Sequence, residues 1–556
     1  VSGSARPPAT VYAARRILTM DPARPDATHV AVREGRILGT GTLEGLRGWG
    51  PVALDERFAD KVLLPGFVEA HSHVGEGVYW RYVYCGFFDR RDPDGRTWPG
   101  AKTIEAVVAR LREAQARLAD PLEPLFGWGL DPLYFGSRRV TRQDLDAVSA
   151  LRPVAIVHAS GHILNPNTAA LALAGYMRTD HDHPGVVLGD DRLPAGELRG
   201  PDAMTPVLLK VGVDRAALSG DEAGMHAFGR LAVRSGVTTA TDLATPIPDA
   251  AADALLRITS AEDFPLRFVP AMHVRGFTAE QAVERAVALK ARSTDRLRLG
   301  ALKAHADGSI QGYTARMRPP GYYDGAPQGL WYVEPEYLRR VYALALRHGV
   351  QMHTHANGDA AIDLAIDCLQ DALREQPSPD HRFVLQHCQL ADRAQLGRMK
   401  ALGLCANFFA NHHFHWGDAH YALTVGPDRA ERMNPCRSAQ DLGVAYAIHS
   451  DAPVTPMGPL HVAWCAVNRL TASGRLLGAY ERIGVAEALR AVTLGAAHTL
   501  HLDGEIGSIE CGKRADFAVL EDDPLSVAPE RLKDVGVWGT VQDGRVFAAQ
   551  AQAVRG

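Results

Sequence analysis

The chain has 556 residues, 46% of them apolar and 22% charged, with a formal net charge of −4. That balance is typical of soluble globular proteins and leaves no basic face for nucleic acid or an anionic membrane. No apolar run approaches the roughly 18–20 residues that a membrane span needs, so neither nucleic acid nor membrane is expected as a partner.

The start, VSGSARPPAT, has no basic or apolar leader pattern and no initiator Met, which is compatible with a segment having preceded Val1. Seven scattered cysteines include no C-x-x-C pair. They suggest neither a thiolate zinc site nor a disulfide framework, so a reduced, cytoplasmic protein is expected.

Taken in chain order, Thr10–Tyr12 running into Ile17–Met20, His29–Arg33 and Arg36–Gly39 read as strands, with Glu34-Gly35 as a tight turn. The run Val62–Ala70 is a candidate first strand of a barrel. A long connection follows, from about 75 to 235, carrying a helical segment at Thr103–Leu118 and a strand-like run at Pro153–His158. Structureless loops of that length are uncommon in compact domains, so an inserted subdomain over the active-site face is expected. Seven further apolar runs alternate with helical patterns such as Thr278–Ala291 and Pro335–His348. They are Val237–Asp242, Leu266–His273, Leu297–Lys303, Val350–His355, Phe383–His387, Leu404–Phe409 and Val444–Ser450. Alternation predicts α/β architecture with parallel strands, and eight strands close a (β/α)8 TIM barrel. At the C-terminus, Ile506–Ile509, Asp516–Leu520, Val535–Gln542 and Arg545–Ala548 read as strands, the last two joined at Asp543-Gly544. The two β-rich ends, 1–64 and 497–556, are expected to form a composite β-sandwich beside a barrel spanning 65–496.

The chemistry sits at the ends of these runs. After the first, His71 and His73 alternate onto one side, where two imidazoles can share a metal. The fifth ends in His353-Thr354-His355, the sixth in Gln386-His387 and the eighth in His449-Ser450-Asp451. One buried strand-end histidine is more often a satisfied core group than a ligand. Four such ends together point to a metal site, because barrel active sites are assembled from the ends of several strands at one face. Lys303 closes the fourth run. An ammonium has no acceptor and cannot bind a cation, so its functional reading requires addition of carbon dioxide to make it anionic.

The motifs PGFVEAHSH, ALKAHADGS, MHTHANGDAAID, LQHCQL, HSDAPVTPMGPL and GSIECGKRADFAVLEDDP span most of the chain. Together they resemble the amidohydrolase superfamily, and within it the amidohydrolase-3 branch that includes YtcJ-like proteins and N-substituted formamide deformylases. The resemblance implies a barrel with a composite sandwich and one or two divalent metals, commonly zinc. It implies that His71 and His73 hold one metal and His355 and His387 a second, that carboxylated Lys303 bridges them, and that Asp451 ligates the first and shuttles protons. His355 is preferred to His353 because Ala356-Asn357-Gly358-Asp359 follows it as in the family pattern. In the same way Asp307 is expected to orient the region of Lys303, and Asp359 to anchor the loop after His355. Substrate contacts are implied for His162, although Ser160 stands where the family has aspartate, and for Trp128 and Asp131 in an entry segment.

Aromatics crowd the expected active-site face: Trp80, Tyr82, Tyr84, Phe87 and Phe88 after the first strand, then Phe408, Phe409, Phe414 and Trp416 after the seventh. Loop packing and a pocket role account for them equally well; in a pocket they would favour an apolar or aromatic substrate group, with Asn411, His412 and His413 offering polar contacts. The expected function is hydrolysis of an amide-type C–N bond of a small N-substituted substrate by a metal-activated hydroxide. Alternatives are a mononuclear deaminase or an ester or lactone hydrolase of the same superfamily, or a non-catalytic scaffold. A homo-oligomer is left open.

Overall fold

The computed structural model describes residues 7–549 apart from 137 and 214–219. Among these, eight strands form one all-parallel sheet in simple sequential order. They are β1 (Phe67–Glu69), β2 (Val237–Thr245), β3 (Arg267–His273), β4 (Ala301–His305), β5 (Met352–Ala356), β6 (Val384–His387), β7 (Cys405–Phe408) and β8 (Tyr446–Ile448). Beyond the strand ends, Ser72 and Ala452 form a parallel bridge. There the His73 N–H donates to Ala452 O over 2.7 Å, and the Asp451 N–H donates to His71 O over 3.2 Å. These contacts curl the sheet so that the segments after its first and last strands meet, giving a TIM-barrel-like fold.

Helices pack their apolar stripes on the outside of this sheet. Ala279–Lys290 buries Ala282, Val283 and Ala286, and Pro335–Arg347 buries Leu338, Val341 and Tyr342, all within one continuous core cluster. Capping boxes at Thr278/Gln281 and Asp392/Gln395 satisfy N-terminal N–H groups and define where two of the helices begin.

Both chain ends enter a second, seven-stranded sheet. Its order is Arg545–Ala548, Val537–Gln542, Phe517–Leu520, Val52–Pro65, Ala9–Leu18, Asp26–Arg33 and Arg36–Gly41. The turns Glu34-Gly35 and Asp543-Gly544 have positive φ at both residues (51° and 73°, 49° and 77°), as a two-residue hairpin turn with the twist of its strands requires. Two expectations need correction. Val62–Ala70 is not one barrel strand: its first part closes Val52–Pro65 in the terminal sheet, and only Phe67–Glu69 joins the barrel. The break is at Gly66, where a Cβ would stand 2.0 Å from Thr238 Oγ1, so only glycine lets the chain cross between the sheets. Ile506–Ile509 is loop, its isoleucines buried without strand pairing. Arg267, at the start of β3 and fully buried, pairs with Asp516 and, at 3.1 Å, with Asp543, locking the barrel to the terminal sheet.

The long connection carries a third sheet, in the order Val186–Leu188, Pro194–Arg199, Ile163–Pro166, Val154–His158, Leu125–Leu130 and Val83–Tyr84. Phe126, Trp128, Val157, Leu164 and Leu198 give it an apolar core of its own. Among the described residues no helix is long and apolar enough to cross a membrane.

Candidate active site

The barrel brings His71, His73, His355, His387 and Asp451 to one wall of a cavity of about 380 Å³. Lys303 lies fully buried on β4, opposite His353 of β5 in register. Single ligand atoms of His71, His73 and Asp451 all fall within 4.8 Å of one another. Asp451 Oδ1 is 3.3 Å from Nε2 of both histidines, and Oδ2 is 3.7 Å from His387 Nδ1. Backbone strain accompanies this convergence: His387 and Asp451 are non-glycine residues at φ 70° and 55°, conformations that persist only where the surroundings enforce them.

Neighbouring polar groups aim the ligands. Asn407 Nδ2 donates to Gln386 Oε1 over 2.8 Å, which sets that amide so that Oε1 also accepts from His71 Nδ1 over 2.7 Å. The His71 proton is therefore on Nδ1, and the Nε2 lone pair faces Asp451. The other end of Gln386 donates to His353 Nδ1 over 2.8 Å, which ties His353 into this supporting network. Glu69, buried at the end of β1, accepts from Ser450 N over 3.0 Å and from Ser450 Oγ over 2.9 Å, and so fixes the residue before Asp451. Asp307 accepts from the N–H groups of Asn357, Gly358 and Arg316 over 3.0, 2.8 and 2.9 Å, bracing the loop that follows His355. Asp359 accepts from Arg318 N over 2.7 Å.

The surroundings keep three of these histidines in the form that can ligate. Burial, with Lys303 nearby, holds the imidazoles of His71 and His355 well below their usual pKa; burial and the neighbouring histidines do the same for His387. All three keep lone pairs at neutral pH. Burial also opposes charge on His73, but Asp242 and Asp451 outweigh it and raise its pKa. Burial lowers the Lys303 amine to about 7. Lys303 Nζ, Asp451 Oδ1 and both ring nitrogens of His387 are buried and have no hydrogen-bond partner among the described residues. Orphaned buried polar atoms are rare in native proteins, and a group of lone-pair donors converging without shared protons fits a divalent metal.

His449 also lies within ligand distance of His71 and His387. Its ring, however, stacks on that of His71 at 4.7 Å with 20° between the planes. Lone pairs of an imidazole lie in the ring plane, so two stacked rings cannot direct them at one ion. His71 and His73, at 78°, can. The sequence reading missed Gln386, Glu69 and Asp242 as supporting groups; Glu69 and Gln386 stand at strand ends, the signal that singled out the histidines, whereas Asp242 lies within Val237–Thr245.

The substrate-side expectations divide. His162 and Trp128 line the cavity, joined by Tyr79, Phe277 and Tyr332. Asn411, His412 and Trp416 do not reach that wall. All three are buried, with Asn411 Nδ2 donating to Thr455 Oγ1 over 2.7 Å, His412 Nε2 placed 3.1 Å from Gln311 Oε1, and Trp416 Nε1 donating to Asp131 Oδ2 over 2.8 Å. The aromatics after the first strand form a supporting layer: Trp80 and Tyr84 pack around Trp128 at 5.1 and 5.0 Å, while Phe87 stacks on Tyr134 and Phe88 meets it edge-on. They hold Trp128 in the wall instead of meeting a ligand.

Arg90 joins the insertion to the catalytic loop. Buried, it pairs with Glu76 at 2.5 Å, donates to the carbonyls of Pro453 and Thr455 over 2.8 and 3.1 Å, and lies 5.0 Å over the Trp128 ring. Breaking a buried pair leaves an uncompensated charge and costs about 3–5 kcal/mol. Arg90→Met is therefore expected to lower stability in urea denaturation by that amount, and to lower kcat through the freed loop after Asp451. An unchanged denaturation midpoint would refute this.

The comparisons with known proteins agree with this geometry. Residues 59–548 match the model of the amidohydrolase family. The N-substituted formamide deformylase of Arthrobacter pascens is 27% identical over 544 residues, covering 95% of this chain and 96% of the relative. The putative amidohydrolase YtcJ of Bacillus subtilis (strain 168) is 27% identical, covering 93% and 95%. A solved uncharacterized metal-dependent hydrolase from Pyrococcus horikoshii OT3 superposes with a TM-score of 0.70 at 20% identity, covering 94% of this chain and 99% of the other. The zinc complex of atrazine chlorohydrolase TrzN from Arthrobacter aurescens TC1 gives 0.54 at 14% identity, covering 98% and 97%. With the family model covering most of its length and a histidine–aspartate cluster at the strand ends, the chain belongs to the amidohydrolase family and is a hydrolase.

Proposed function

We propose that this protein cleaves an amide-type C–N bond of a small N-substituted substrate bearing an apolar or aromatic group. The convergence of His71, His73 and Asp451 on one wall of a substrate-sized cavity carries the reading. Trp128, Tyr79 and Phe277 in the same cavity support an apolar substrate group. A divalent cation, most simply zinc, supplies the positive charge that activates water and polarises a carbonyl. His71 and His73 would hold it, with Asp451. As a carboxylate, Asp451 takes the proton of the attacking water and returns it to the leaving nitrogen. Trp128 and His162 orient the substrate and displace bulk water from the cavity.

A second cation would be held by His355 and His387 with Lys303 carboxylated. The buried Lys303 amine, without a hydrogen-bond partner among the described residues, supports this, because a neutral amine is the form that adds carbon dioxide. A mononuclear centre is the second reading, favoured by His71, His73 and Asp451 already forming a complete cluster without Lys303. The division into a barrel of 65–496 and a composite sandwich of 1–64 and 497–556 belongs to the same proposal, with the terminal sheet as its support.

The test is a panel of N-substituted formamides, N-acyl amines and cyclic amides, assayed with metal-loaded and chelator-treated protein. Hydrolysis that disappears on chelation and returns with zinc is the expected result. Metal analysis separates two equivalents per chain from one. No hydrolysis of any amide, ester or lactone would overturn the reading.

A further inference from the structure

The cavity is lined by two further histidines outside the cluster just described. His273 ends β3 and His305 ends β4, where it stands opposite His355 in register. Two residues along the strand from Lys303, His305 projects to the same face. It lines the cavity, and its ring lies 4.9 Å from that of His355.

The protons on these rings follow from one fixed donor. The backbone N–H of Arg275 donates to His273 Nδ1 over 2.8 Å. An amide N–H can only donate, so His273 Nδ1 carries the lone pair and the ring proton is on Nε2. That Nε2 stands 2.9 Å from His305 Nδ1. His305 Nδ1 therefore accepts, and the proton of His305 is on Nε2, at the edge of the ring turned away from His273.

We propose that His305 is a catalytic hydrogen-bond donor: its Nε2–H meets the acyl oxygen of the substrate as negative charge develops there, in a tautomer imposed by the backbone of Arg275 through His273. A pair of packed histidines would satisfy each other equally well in either direction. The backbone donor removes that symmetry and leaves an N–H, not a lone pair, for the cavity. A donor aimed in advance at a developing oxyanion is among the larger contributions a site can make. The acyl oxygen as its partner rests on the amide-hydrolysis reading; the direction of the relay does not. His273 is a positioning residue.

Nitrogen-15 NMR of histidine-labelled protein should show both rings as Nε2–H tautomers, and a His305 Nδ1–H tautomer would overturn the proposal. His305→Phe keeps a ring but removes the donor. It should lower kcat about 10²–10³-fold with metal content and KM little changed, and His305→Gln should recover part of the loss. Wild-type kcat in His305→Phe would overturn the proposal. Phenylphosphonate, a tetrahedral anion, reads the donor without turnover: calorimetry should show about 10- to 100-fold weaker binding to His305→Phe, and equal binding would overturn the proposal. Absent hydrolysis by the wild-type protein, with the phosphonate difference intact, would overturn the amide reading and leave the donor standing.

Discussion

Asp451→Asn is expected to keep its metal and lose about 10²- to 10⁴-fold in kcat, the scale of a positioned proton-transfer group. The residue is set by its surroundings: its φ is 55°, its N–H is held by His71 O, and the preceding Ser450 is clamped by Glu69. Asparagine is nearly isosteric and retains one oxygen toward His71 and His73, so geometry and ligation survive. What it loses is the carboxylate oxygen that accepts a proton and passes it on. Steady-state kinetics beside metal analysis of the same preparation checks this, and wild-type kcat would remove Asp451 from the proton path. A rise in KM alone would point to substrate binding instead.

Lys303→Met should have opposite effects on activity and on the metal-free fold. The Lys303 amine is buried with no hydrogen-bond partner among the described residues, and its pKa is lowered from 10.5 to about 7. Replacing an unsatisfied buried polar group by an apolar one of similar shape is expected to stabilise the metal-free protein by about 1–3 kcal/mol. The pH dependence has a defined sign. Between pH 7 and 10.5 the unfolded chain binds more protons at this residue than the folded one, so stability of the metal-free wild type rises with pH through that window. Lys303→Met should flatten that rise. In the same variant the two-metal reading predicts that bound metal falls from two equivalents to one and that turnover falls with it. Urea denaturation across pH, with metal analysis, measures both; a variant with undiminished metal and activity would exclude the bridging role. Such a trade of stability for function is common where an active site keeps a polar group in a dry place.

The site was legible in sequence where chemistry and periodicity coincide. His71 and His73 follow an apolar run with the pattern of buried strand, and Asp451 follows another; alternation along the chain is enough to place the two histidines on one side. Gln386 was read only as the neighbour of His387, because an amide at a strand end has no distinctive chemistry of its own. Its role exists only through Asn407, His71 and His353, brought together from three strands and the segment after β1. Arg90 and the His273–His305 relay escaped for the same reason. The segment after the seventh strand misled in the opposite direction: Asn411, His412 and Trp416 have the composition of a pocket, yet packing turned them onto Thr455, Gln311 and Asp131.

By itself the sequence determined the order of eight parallel strands, the two tight hairpin turns and the strand-end histidines, because strand burial, turn chirality and side-chain alternation are local properties. Only the tertiary structure decided where the Val62–Ala70 run changes sheets, which rings stack and so cannot share an ion, and which nitrogen of each histidine carries its proton. Those outcomes depend on a Thr238 side chain 2.0 Å from where a Gly66 Cβ would stand, a 20° angle between two rings, and one backbone N–H at Arg275. Each is a contact between residues far apart in sequence or a direction in space, neither of which local pattern encodes.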